Sequence, residues 1–166
     1  MQPDIGAVCF SHLEFMKWAD ETVLAALFPL PAEKLQRDLG SSFPSMLGTL
    51  SHVYLAERVW LQRVQGVQDA RIGDSASPDS PDALGQAWTE VHAMWIEWAR
   101  SLAGGDWPEP VTYRNSAGVE SRLPNWQIVL HLVNHGSYHR GQVATMLRQS
   151  GIAPPGTDLV TFYRTR

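Results

Sequence analysis

The residues of this chain best suited to chemistry are His131, His135 and His139, within the run WQIVLHLVNHGSYHRGQVATM at positions 126–146. A four-residue recurrence climbs about one helical turn and rotates by only about 40°, so three imidazoles line one shallow stripe. Two imidazoles on such a face can close on one metal ion, because their nitrogens reach a common point. The stripe offers two pairs, His131 with His135 and His135 with His139, and spacing does not choose between them. His52 falls on the inner face of an earlier helical pattern. His12 and His92 match no cluster and read as ordinary satisfied imidazoles.

Apolar periodicity defines the elements that must position these groups. Leu13, Met16, Ala19, Val23, Ala26 and Leu27 keep a helical spacing over residues 4–27, ended by Pro29 and Pro31. A polar connector with about one helical turn follows to Gly40. Ser42 or Ser45 then caps a second helix running to Val64, with Met46, Leu47, Leu50, Val53, Tyr54, Trp60 and Leu61 on its apolar side and Gly66 at its end. Residues 66–82 are rich in Gly, Ser, Asp and Pro and read as a loop. The third helix spans 81–102, where Leu84, Trp88, Val91, Trp95 and Trp98 face a core and Gly104, Gly105 and Pro108 stop it. Alternation in VTYRN and VESRL around Ser116-Ala117-Gly118 predicts a small hairpin. The histidine helix covers 124–149, with Pro124 in its first turn and Gly151 at its C-terminal cap. A short final helix within 157–166 is expected, capped by Thr157 or Asp158. These patterns define an all-α four-helix bundle, residues 1–166 as a single domain, with a small hairpin or extended loop before the last long helix. Connections of more than ten residues leave room for crossovers.

Composition narrows the functional classes. Hydrophobic residues make up 44% of the chain, with seven Trp, so a packed interior rather than disorder is expected. A formal charge of −4 argues against nucleic acid, whose binding rests on Lys and Arg neutralising phosphates. No apolar run reaches the roughly 20 residues that span a bilayer, and the first ten residues lack the pattern of a secretion signal. A cytoplasmic protein with no membrane partner is the expectation. Cys9, the single cysteine, has no internal disulfide partner and reads as a small buried apolar residue.

The run HLVNHGSYHRGQV at 131–143, followed by MLRQSGIAPPGTDLVTFYR, resembles the C-terminal signature of the DinB/YfiT-like family of metalloenzymes (the DinB superfamily). LEFMKWADETVL at 13–24 is similar to that family's first helix, and FPSMLGTLSHVYLAERVWLQRVQG at 43–66 to its second, including the Ser-His step. The resemblance covers nearly the whole chain and is weakest over 71–121. It implies a four-helix bundle holding a divalent metal ion through one histidine of the second helix and two of the last, which carries here onto His52, His135 and His139. Asn134-His135 and the His139-Arg140-Gly141-Gln142 context select that pair over His131. His131 then either supports a ligand from behind or packs in the core. One departure is Asp20, where the family's Trp-Ala step is usually followed by Asn; it would add a carboxylate near the metal.

Three neutral imidazoles leave a dication its full charge and an open position, a set that Zn, Ni, Fe or Cu accepts. Relatives in the superfamily include thiol-dependent S-transferases and a mycothiol-dependent isomerase. The resemblance therefore implies a metal-dependent enzyme acting on a small-molecule substrate with a low-molecular-weight thiol; the alternatives are a non-catalytic, stress-associated metal-binding protein and a metal-dependent hydrolase. A homodimer through the helices is also implied. Arg140 is expected to pair with a carboxylate such as Glu57. Glu57, five residues past His52, is a weak candidate for a general base, and the tryptophans of the third helix read as core. The open metal position is expected to face a pocket shaped by the first helix around Trp18 and Asp20.

Overall fold

The computed structural model describes residues 4–102 and 105–165. Among them, six α-helices, one 3-10 turn and one hairpin follow in the order α1 (Ile5–Ala25), α2 (Ala32–Gln36), α3 (Met46–Val64), the 3-10 turn (Ile72–Asp74), α4 (Pro81–Ser101), β1 (Pro110–Arg114), β2 (Glu120–Pro124), α5 (Asn125–Gln149) and α6 (Leu159–Arg164). Serines set two of the long helices in register. Ser45 Oγ accepts from the Gly48 amide at 3.1 Å, and Ser80 Oγ from the Ala83 amide at 3.3 Å, each satisfying a donor that the first helical turn leaves free. At the far ends, Gly66 (φ 96°) and Gly151 (φ 76°) take the left-handed conformation that lets the chain leave α3 and α5. Asp158 precedes α6, but its side chain makes no cap bond. Of the expected stop after the third helix, Gly104 lies outside the described residues.

The long helices form a bundle in which α1 and α3 each pack against both α4 and α5. That arrangement sets α1 diagonally across from α3, so the connector carrying α2 crosses the bundle end, as the length of the connections allows. The core is the sum of the apolar stripes: Leu13, Met16, Leu27, Met46, Leu50, Leu84, Trp95, Ile128, Leu132 and Leu147 are essentially inaccessible. Each fully buried aliphatic side chain of this kind stabilises the fold by about 1.5–3 kcal/mol. Strands β1 and β2 pair antiparallel, Thr112 opposite Arg122, around a turn in which Asn115 Oδ1 accepts the Ala117 and Val119 amides. Tyr113 anchors the hairpin edge-on against Trp60 of α3, with the ring centroids 4.7 Å apart. No helix among the described residues is long and apolar enough to cross a membrane.

Candidate metal centre

Helices α3 and α5 bring His52, His135 and His139 together. One ring nitrogen from each lies within 4.8 Å of the other two, and His52 Nε2 stands 3.2 Å from His135 Nε2. Imidazole nitrogens about 2.0–2.1 Å from one tetrahedral ion would stand about 3.4 Å apart, so the spacing fits a shared ligand sphere. The His139 ring meets both others edge-on, at centroid distances of 4.8 and 4.5 Å. Its Nδ1 lies 2.8 Å from Gln142 Oε1; with Nδ1–H donating to that amide oxygen, Nε2 carries the free lone pair. Phe43, from the connector before α3, stacks on His52 at 3.9 Å and fixes that ring's plane.

Two of the imidazoles are held neutral. Burial, together with the neighbouring His139, pushes His52 down to about 4; burial and the surrounding histidines do the same to His135. Neutral rings are the form that ligates metal. His139 is buried, whereas His52 and His135 are half-buried, so the cluster lies near the surface of the α3–α5 seam. His131 is exposed, its ring 5.3 Å from Trp60 and 5.8 Å from His135, and it joins neither the core nor the three-histidine group.

A second polar group occupies the bundle centre, one residue from each long helix: Asp20 (α1), Glu57 (α3), His92 (α4) and Arg140 (α5), all buried. Arg140 Nη1 donates to Asp20 Oδ1 at 2.6 Å, and Trp88 Nε1 donates to Glu57 Oε2 at 2.6 Å. His92 Nε2 sits 3.4 Å from both Asp20 Oδ2 and Glu57 Oε2. At that length and alignment these contacts are electrostatic rather than well-formed hydrogen bonds, leaving Nε2 and Oδ2 without hydrogen-bond partners. Burial alone would raise Asp20, but the charges of Arg140 and His92 outweigh it and hold its carboxyl below the usual range. Glu57, with burial and the Asp20 charge against ionisation, rises to about 7. Burial disfavours charged His92, yet the two carboxylates overcome it and lift the ring to about 9.

Several expectations change here. His92 does belong to a cluster; what joins it to Asp20 and Glu57 is packing between helices, which spacing within one helix cannot reveal. Arg140 pairs with Asp20 rather than Glu57, because Glu57 faces α4, where Trp88 and His92 engage it. Trp88 and Trp95 are core residues as read, but both indoles also donate to Glu57, Trp95 to its carbonyl at 3.3 Å. Trp18 packs on Phe15 and Phe162, and the aromatic ring beside the histidines is Phe43; Asp20, though paired with Arg140, is close enough for its charge to act on His135. His12 is the satisfied imidazole expected, bonded through Nδ1 to the Val8 carbonyl at 2.8 Å. Cys9 is fully buried and its thiol is pushed up to about 11 by burial and by Asp4, in keeping with an apolar role.

A helical bundle with convergent histidines on two of its long helices defines a class of small helical proteins with a candidate metal centre. The sequence matches the model of the DinB family over residues 6–166, and the chain belongs to that family. It is 28% identical over 159 residues to Protein DinB of Bacillus subtilis (strain 168), covering 90% of each chain. The uncharacterized protein YrdA of the same strain is 28% identical over 83 residues, covering 50% of this chain and 47% of YrdA. The crystal structure of a DinB-like protein from Bacillus cereus ATCC 10987 superimposes with a TM-score of 0.67 over 87% of this chain and 94% of that one, at 21% identity, which establishes the shared fold.

Proposed function

We propose that the protein holds one divalent metal ion through His52, His135 and His139 and uses it as a metal-dependent enzyme on a small-molecule substrate, with a low-molecular-weight thiol as co-reactant. The observation that carries this reading is the convergence of three imidazole nitrogens from two helices within 4.8 Å, with two of the rings held neutral. Zn(II) and Ni(II) suit such a set best, with Fe(II) next. When bound, the ion supplies Lewis acidity, lowering the pKa of a thiol or water that joins it.

The chain's own residues do the rest. Gln142 fixes the His139 tautomer, and Phe43 holds the His52 plane. No fourth His, Cys, Asp or Glu joins the three-histidine group among the described residues, so a coordination position stays free for a small molecule. A cleft of about 230 Å³ between the α2–α3 connector and α5, lined by Leu39, Ser41, Gln142 and Met146, opens beside Gln142, the partner of His139. A homodimer belongs to the same proposal.

The test is a conjugation screen. Metal-loaded protein is offered small thiols with a panel of electrophiles, and consumption of thiol is compared with that of the His139→Ala variant. Metal-dependent turnover lost in the variant supports the thiol-dependent reading. Stoichiometric metal binding with no turnover on any pair favours the non-catalytic metal-binding alternative, and metal-dependent hydrolysis without thiol favours the hydrolase.

A further inference from the structure

We infer that the bundle centre is a second divalent-cation site, with Asp20 Oδ2, Glu57 Oε2 and His92 Nε2 as its protein ligands. These three atoms belong to three different helices and lie within 4.8 Å of one another, with Nε2 3.4 Å from each oxygen. Ligands about 2.0–2.2 Å from a common ion stand about 3–3.5 Å apart, so Nε2 meets each oxygen at the separation a shared ion would impose. The same separation is poor for direct hydrogen bonding. His92 is 1% exposed and aimed between the carboxylates, yet neither of its nitrogens has a hydrogen-bond partner, and Asp20 Oδ2 has none either. Buried polar atoms left in that condition are costly, and a cation between them would engage His92 Nε2 and Asp20 Oδ2, though not His92 Nδ1.

Charge is compatible with it: His92 protonated between the two carboxylates already balances the centre, so a cation there takes the place of the His92 proton rather than filling a charge deficit. Arg140 takes the other Asp20 oxygen, Oδ1, and so orients the carboxylate without blocking Oδ2. Trp88 donates instead to Glu57 Oε2 itself and holds that oxygen toward His92, so a cation there would use the second lone pair of the same oxygen. Gly136 makes the arrangement sterically feasible, since a Cβ there would stand 2.6 Å from Arg140 Nη1. Entry comes from the α1–α4 side, where a cavity of about 360 Å³ bounded by Leu24, Phe28, Gly85 and Gln86 reaches Trp88 and His92. Two carboxylates and one imidazole form a harder donor set than three imidazoles, so this site favours Mn(II) or Fe(II) where the surface triad favours Zn(II) or Ni(II).

Mn(II) is the probe, because it binds three-imidazole sites weakly. Titration of the full chain, followed by the electron paramagnetic resonance of free Mn(II), should give one bound ion per chain in the wild type and in His135→Ala alike. His92→Gln and Glu57→Gln should weaken it at least tenfold while keeping wild-type Ni(II) binding at the triad and a wild-type circular dichroism spectrum. Pulsed resonance of the loaded wild type needs no variant and should show coupling to a single imidazole nitrogen. No Mn(II) bound by the wild type would mean that a proton on His92 alone completes the cluster, and would overturn the inference. Loss of Mn(II) in His135→Ala, or coupling to more than one imidazole, would overturn it by placing the ion at the triad. If neither His52→Ala nor His135→Ala weakens Ni(II) binding, the triad reading fails while the inner site stands.

Discussion

Replacing Arg140 with Met keeps most of the side chain's bulk but removes the one permanent positive charge at the bundle centre. Arg140 and Asp20 are 2% and 0% exposed and joined at 2.6 Å, so water cannot screen what is left behind. Removing one partner of a buried pair costs about 3–5 kcal/mol, most of it the penalty on the orphaned charge. Asp20→Asn should cost less, about 1–3 kcal/mol, because the amide still offers an oxygen to Arg140 and Glu57 remains to offset the guanidinium. For a chain of this length, each kcal/mol lowers Tm by about 2–4 °C, so Arg140→Met should melt roughly 6–20 °C below the wild type. Urea unfolding of chelator-treated protein at pH 7 gives both values directly. An Arg140→Met stability within about 1 kcal/mol of wild type, or an Asp20→Asn loss larger than that of Arg140→Met, would refute this electrostatic reasoning.

The same cluster makes stability fall as pH rises. His92, raised to about 9 from an ordinary 6.5, contributes stability fully below about 6.5 and loses it through about 9, and Glu57, raised to about 7, adds a loss between about 4.5 and 7. Metal-free protein should therefore unfold at lower urea at pH 9 than at pH 6.5, and His92→Gln should flatten that slope; a flat wild-type profile would contradict the assignment. Trp88→Phe removes the indole donor from buried Glu57 and should cost about 1.5–3 kcal/mol in the same unfolding assay. Gln142→Leu frees His139 Nδ1 and should weaken metal binding about 10- to 100-fold by calorimetry without unfolding the protein. Light scattering should report twice the chain mass of 18.5 kDa if the proposed homodimer forms, and 18.5 kDa at micromolar concentration would exclude it.

The fold was legible because each element's signals agreed. The apolar stripe of α5 runs from Ile128 to Val133 and resumes from Val143 to Leu147, between Pro124 and Gly151, and the alternation around Ser116-Ala117-Gly118 marks a hairpin that the backbone closes there. The three-histidine group was legible through a different route: the four-residue spacing put His135 and His139 on one stripe but kept His131 equally eligible, and only family resemblance joined His52 to them. The central cluster was not legible. Asp20, Glu57, His92 and Arg140 stand on four helices with no common spacing: the sequence suggests a carboxylate partner for Arg140 and a place near the metal for Asp20, but it chooses the wrong partner and leaves His92 as an ordinary imidazole. One signal was available: each occupies the apolar face of its own helix, Asp20 beside Ala19 and Val23, His92 beside Val91 and Trp95, where a charged residue must find a partner.

Equilibrium dialysis against Ni(II), followed by metal analysis of wild type and of His52→Ala, His135→Ala, His139→Ala and His12→Ala, tests the central proposal most directly. His12, bonded to the Val8 carbonyl in α1, is the control. One tightly bound Ni(II) per chain in the wild type and in His12→Ala, with loss in each of the other three, is the predicted result; equal Ni(II) content across all five proteins would contradict the three-histidine centre.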